Sequence, residues 1–291
     1  MFRFAFAWIL VLAATSAFAQ KTDPDPLWQF WVKGQAQHFA NFFQRAEGQA
    51  QDDVQALYGE VGASVALSRT APLRAYGNVN VVQYNESELS TSPGVRVGIR
   101  LDGRPHAFDV RAEQLIDRPS FDIGDEFDRA DITNLAGEYS YRVTRDWQVS
   151  VEGEYQKQDI EITNLRDNDF LSAGVGVRWR GSRLLSPEIG YRSGRREVGD
   201  DTLSYDQDEM YLQIRSAPAP ELYISARYRD RGREYTSGRE DDRRQITASV
   251  DWSMTPTLIW SFYGSHETVK INRAGRDFDT ALYIVGITKR F

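Results

Sequence analysis

The chain has no cysteine and only three histidines, and beyond its first twenty residues it has no apolar run long enough to cross a membrane as a helix. The missing thiols exclude disulfides, thiolate metal centres and cysteine nucleophiles. His38, His106 and His266 are far apart in sequence and suggest no zinc cluster. An excess of basic residues is also absent. The formal charge is −7 at pH 7, which argues against nucleic acid as a partner. The mean hydropathy of −0.53 suits a water-soluble protein, but alternating strands escape such averages because half their residues are polar.

What is present begins with MFRFAFAWILVLAATSAFAQ. Arg3 is a positive n-region, Phe4 to Ala14 an apolar h-region, and Ala17-Phe18-Ala19 a small-residue cleavage site, so residues 1–19 read as a signal peptide. Residues 20–27 (QKTDPDPL) follow as a short polar linker, expected on the periplasmic side. The rest, 28–291, reads as one domain of period-two segments. In ITASVDWSMTPTLIWSFYGS, Ile246, Ala248, Val250, Trp252 and Met254 alternate with polar residues. After Thr255-Pro256-Thr257 the alternation resumes with Leu258, Trp260 and Phe262. Such spacing puts apolar side chains on one face of a strand and polar ones on the other, and the proline-containing break makes a hairpin.

Strands are predicted at about 28–43, 55–68, 74–84, 94–102, 106–117, 130–143, 147–160, 169–180, 187–197, 207–216, 221–232, 243–253, 257–270 and 277–291. Tight turns such as Asp102–Pro105, Thr144–Asp146 and Thr255–Pro256 alternate with longer polar loops such as Asp117–Arg129, Gly199–Asp206 and Arg233–Asp242. The segment 28–43 is ambiguous, because Trp28, Trp31, Val32, Phe39, Phe42 and Phe43 also fit a helical stripe.

Two architectures share this alternation, a sandwich and a closed barrel in lipid. Three features favour the barrel. The polar face is rich in Arg and Glu. Trp147, Trp179, Trp252 and Trp260 all fall at the tight-turn end, as an interfacial aromatic girdle does. The sequence ends ALYIVGITKRF, with Ala281, Tyr283, Val285, Ile287 and Phe291 on one face. In hydrocarbon every backbone N–H and C=O must pair, so strands there must close on themselves. Both ends of the domain on one side of the membrane require an even strand count. Counting 28–43 as a strand gives about fourteen, with twelve as the alternative.

That ending resembles the C-terminal strand signal of Gram-negative outer-membrane β-barrels, with Lys289 departing from the pattern. In size and loop pattern, including NFFQRAEGQAQDDVQALYGEVGASV, the chain is similar to porin-type barrels found with exopolysaccharide systems. The first resemblance implies an all-β, antiparallel up-and-down transmembrane barrel in an outer membrane. It also implies that Tyr283, Val285, Ile287 and Phe291 act as an assembly signal read by the barrel-assembly machinery. The second implies transport.

The face opposite the lipid set supplies lumen candidates: Arg178, Arg192, Arg196, Arg215, Arg227 and Arg229, with Glu138, Glu152 and Glu154. Arg and Glu on adjacent strands either pair across the ladder and fill the lumen, or face one another across water. In the second arrangement Arg227, Arg229 and Arg192 stand opposite Glu152 and Glu154, and charged rings of that kind set ion preference. The expected function is a channel for small hydrophilic, anionic solutes or oligosaccharides, since guanidinium forks suit carboxylate and phosphate. The alternative is a non-conducting structural or polysaccharide-export barrel with an Arg–Glu filled lumen. An enzyme is not expected: Ser265, His266 and Glu267 are adjacent, and neighbours on a strand face opposite sides. No cofactor or metal is expected. The acidic stretches Asp122, Asp125, Glu126 and Asp128, and Asp200, Asp201 and Asp206, offer oxygens of the kind Ca²⁺ takes and equally suit a solvated surface.

Overall fold

The computed structural model describes residues 27–42, 44, 53–68, 71–86, 89, 91–120, 128–161, 166–272 and 277–291. The predicted leader 1–19 and the linker up to residue 26 lie outside the described residues. Fourteen strands follow: β1 (Trp28–Ala40), β2 (Val54–Ala66), β3 (Leu73–Tyr84), β4 (Ser92–Asp102), β5 (His106–Ser120), β6 (Asp128–Arg142) and β7 (Trp147–Ile160), then β8 (Asn168–Trp179), β9 (Ser186–Val198), β10 (Tyr205–Ala219), β11 (Leu222–Tyr235), β12 (Glu240–Thr255), β13 (Leu258–Ile271) and β14 (Phe278–Arg290). Each strand pairs antiparallel with its neighbours in sequence, and β1 pairs with β14 from Trp31↔Arg290 to Ala40↔Ala281, which closes the barrel. Among the described residues no helix is long and apolar enough to span a membrane; in this fold the strands have the lengths to do so. A strand of 14 residues such as β7, rising ~3.3 Å per residue and tilted by ~45°, covers about the thickness of a hydrocarbon core.

Closure follows from the pattern of side chains. In β7 the outward set is Trp147, Val149, Val151, Gly153 and Tyr155, and the inward set is Gln148, Ser150, Glu152, Glu154, Gln156 and Gln158. The same division recurs around the sheet and turns the protein inside out. Large apolar residues such as Leu171, Val79, Ile246 and Met210 are exposed, whereas Ser172, Glu188, Gln207, Glu209, Asp241 and Arg243 are buried. An aliphatic side chain left in water forgoes ~1.5–3 kcal/mol of burial. A belt of them repeated on every side of the wall is stable only against acyl chains.

The first segment is a strand. Its helical reading arose because both faces of β1 carry aromatics: Trp28 and Phe30 point outward, while Trp31 reaches inward, where its Nε1 donates to Glu60 Oε1 at 2.6 Å. Gly62 lies directly beneath the Trp31 ring, where a Cβ would come within 2.1 Å of it. One predicted loop is much shorter than expected. Where the sequence suggested 233–242, β11 and β12 run on and close through a turn at Gly238, whose φ is +77°. Inward Arg233, Tyr235, Asp241 and Arg243 are all buried and keep the two strands paired there.

Candidate functional site in the barrel lumen

Directly paired residues on neighbouring strands point to the same face, so the registers define levels across the wall. One level runs Arg100, Asp109, Glu138, Glu152, Gly174, Arg192, Glu209, Arg231 and Arg243, from β4 to β12. The glycine decides what its neighbours can do. Arg192 reaches over Gly174 to Glu152 (Nη2–Oε1 2.9 Å) and Glu154 (Nη1–Oε2 3.3 Å). A Cβ on Gly174 would lie 2.8 Å from Glu152 Oε1 and 3.0 Å from the Tyr191 carbonyl. Without that gap in the wall the bridge could not lie flat.

Three carboxylates organise the guanidiniums. Glu188 accepts from Arg178 Nε at 2.7 Å, Arg215 Nη1 at 2.8 Å and the Tyr211 hydroxyl at 3.1 Å. The Tyr211 ring lies over Gly190 with its hydroxyl over Gly176, and the Arg227 guanidinium lies 3.9 Å from the ring centroid. Asp241 accepts from Arg239 (Nε, 2.7 Å) and Tyr235 (3.0 Å), with Arg243 at 3.6 Å. Glu209 is surrounded by Arg231 at 3.3 Å, Arg227 at 3.6 Å and Arg229 at 3.8 Å.

The Glu209 group is the unbalanced one. β11 presents Arg227, Arg229, Arg231 and Arg233 to the lumen with no carboxylate of its own. Among the described residues Glu209 is the one carboxylate within ion-pair distance of these three guanidiniums, with Glu267 two strands away at the level of Arg229; the Nε atoms of Arg227 and Arg229 and Glu209 Oε1 are buried without a hydrogen-bond partner. Buried charge is costly unless paired, and a guanidinium with charge to spare donates well to the oxygens of an oxyanion. Arg196 and Arg233 are held differently. Arg196 donates to Asn168 (2.8 Å) and Gln156 (3.1 Å), and Arg233 to Gln207 (2.9 Å). Both lie over the Tyr205 ring, a cation–π arrangement.

The other wall is nearly neutral. β14 turns Thr280, Leu282, Ile284 and Gly286 inward, the last three paired with Phe39, Gln37 and Gln35 of β1. Toward the long-loop end Phe42, Val54 and Leu89 form an apolar cluster with Phe39 and Tyr84. Beside it lies a cavity of about 340 Å³, lined by Phe39, Tyr84, Leu115, Ile132 and Leu282 with Arg118 at its edge.

All nine lumen residues predicted from the sequence stand on inward registers. Their grouping differs from the expected one. Arg192 and the pair Glu152 and Glu154 are neighbours on one wall, because Gly174 lets them meet across β8, and Arg227 and Arg229 gather on Glu209 instead. Glu138 is exposed between Asp109 and Glu152. Sequence reasoning missed Glu209, Asp241 and Tyr211. The signal was present for Glu209, which alternates with Gln207 and Tyr211 opposite Met210 and Leu212.

Trp147 and Trp179 are direct cross-strand partners, as are Trp252 and Trp260, all at the tight-turn end. Tyr283, Val285 and Ile287 face outward on β14, and Phe291 closes against Phe30 through paired backbone hydrogen bonds of 2.9 and 3.3 Å. The histidines are scattered. His266 is exposed between inward Ser265 and Glu267, His106 meets the Tyr139 hydroxyl at 2.7 Å, and His38 stacks on Tyr283. Asp122, Asp125 and Glu126 lie outside the described residues. Asp200 caps a single 3-10 turn at Asp201–Leu203.

No family model matches the chain, and no curated protein matches it. Solved structures do. OmpT of Vibrio cholerae is similar at 9% identity over 94% of this chain and 99% of its own, with a TM-score of 0.52. A bacterial polysaccharide outer membrane secretin is similar at 9% identity over 91% and 98%, also with a TM-score of 0.52. At such identity the likeness is one of fold. A closed antiparallel wall, an apolar exterior, a charged interior and these neighbours together give the chain the fold of an outer-membrane β-barrel.

Proposed function

We propose that the protein is a channel in the outer membrane of a Gram-negative bacterium, passing small hydrophilic anions or acidic oligosaccharides, and that it is not an enzyme. The observation that carries this reading is the arginine excess on β11 around a single carboxylate, Glu209. The chain as a whole is acidic, with a formal charge of −7, so a cationic stripe inside it is a local feature. Arginine rings favour anions, and guanidinium forks suit carboxylate and phosphate oxygens. Trp147, Trp179, Trp252 and Trp260 serve as an interfacial girdle in this reading. The outward residues of β14 and Phe291 serve the assembly machinery.

A second reading is a non-conducting or export-associated barrel whose lumen is filled. The deep burial of Glu188, Glu209, Asp241 and Arg243 favours it. Reconstitution of purified protein in planar bilayers separates the two. Reproducible open steps support the channel; a silent membrane containing folded protein supports the filled barrel.

A further inference from the structure

At the tight-turn end, below the ion-pair network, three arginines stand around a neutral residue. Arg142 and Arg178 both flank Gln148 in register, on β6 and β8 either side of β7. Arg180, one residue past β8, donates through Nη1 to Gln148 Oε1 at 2.7 Å. Two backbone bonds fix the group to adjacent turns: Arg142 N to the Pro105 carbonyl at 2.9 Å and Arg180 N to the Asp146 carbonyl at 2.6 Å. Arg178 is neutralised by Glu188 at 2.7 Å. No carboxylate of a described residue lies within ion-pair distance of Arg142 or Arg180.

Like charges gathered without a counter-ion raise the free energy of the empty site and lower that of an occupied one. Partial burial, then the guanidiniums of Arg142, Arg178 and Arg104, push the Arg180 guanidinium below its ordinary value. Gln148 can orient Arg180 without cancelling its charge, which leaves Arg180 donors and the whole Arg142 fork for an outside acceptor.

We propose that Arg142 and Arg180, held around Gln148, form an oxyanion-binding site at the tight-turn mouth of the barrel, for a phosphate or carboxylate group carried by a soluble molecule. Arg142 stands on the inward register opposite Gln148 and Arg180 turns to the same Gln148, so the ligand meets them at the mouth of the lumen and not as a lipid headgroup on the outer wall. In outer-membrane barrels the tight-turn end faces the periplasm, so the site takes its ligand from that compartment. Binding here does not require conduction, although under the channel reading this site is the periplasmic end of the anion path.

The test is titration calorimetry of the detergent-solubilised barrel with inorganic phosphate at low ionic strength. Saturable binding is expected. R142Q/R180Q should weaken it about tenfold or more, as the loss of charge-assisted hydrogen bonds implies. R142K/R180K, which keeps the charge and loses the forks, should fall between. R145Q removes a turn arginine at the same end and should change little, and the gel mobility of unheated samples verifies that each variant is folded. The proposal is overturned if binding is absent, if R142Q/R180Q binds like the parent, if R145Q weakens binding equally, or if only vesicles containing anionic phospholipid are bound. Phosphate binding by a barrel that never conducts would uphold this site while refuting the channel.

Discussion

The two halves of the lumen wall solve the same problem in opposite ways. From β7 to β12 the interior is a lattice of guanidiniums and carboxylates laid over glycines and tyrosines; Glu152, Arg192, Glu188, Arg178, Arg215 and Glu209 each have a charged neighbour. Across β14, β1 and β2 the inward side chains are mostly neutral; Lys33 and Glu60, directly paired in register, and Arg290, opposite Trp31, are the charged exceptions. The contrast teaches where a barrel of this size keeps its polarity. A charged wall must pair most of its buried ions, because an isolated buried ion is far more costly than a missing one. A neutral wall needs no such network, and here Trp31, Phe39, Leu282 and Ile284 fill it.

Breaking the charged wall at its hub should have the largest effect. Glu209→Gln leaves Arg227, Arg229 and Arg231 without their shared carboxylate, and removal of one partner from a buried ion pair costs about 3–5 kcal/mol. The midpoint for urea unfolding from detergent micelles should fall accordingly; an unchanged midpoint means that water already neutralises the group. Gly174→Val comes next. Its side chain would occupy the space of the Arg192–Glu152 bridge, and a loss of ~2–3 kcal/mol is expected. Tyr211→Phe removes only the hydroxyl bond to Glu188 and should cost ~1 kcal/mol. On the other half, Thr288→Val exchanges an inward hydroxyl of β14, opposite Lys33, for a methyl of similar size, and its effect should stay within about 0.5 kcal/mol. If Thr288→Val proves as damaging as Gly174→Val, the difference between the walls is not real.

Much of this was legible in the sequence. Strict alternation identified the strands, and one end rich in proline and tryptophan identified the tight-turn side. β1 was harder because Trp31 and Phe39 face inward while Trp28 and Phe30 face outward, which blurs a period of two. What alternation cannot supply is lateral registry. It assigns Arg192 and Glu152 to the lumen, but that they meet over Gly174 depends on the registers of β7, β8 and β9 together. Glu209 was hidden for the same reason, since its three arginines come from the next strand and only one of them, Arg231, is its direct partner. The length of the β11–β12 hairpin was misread because its polar residues, which look like loop, are the inward face of two long strands.

The central claim is that the arginine stripe on β11 gives a conducting lumen its preference for anions. Reversal potentials across a KCl gradient test it most directly, comparing the parent with R227S/R229S. The account predicts an anion-selective potential in the parent that moves toward zero in the variant. An equal potential in the two proteins, or a cation preference in the parent, would contradict it.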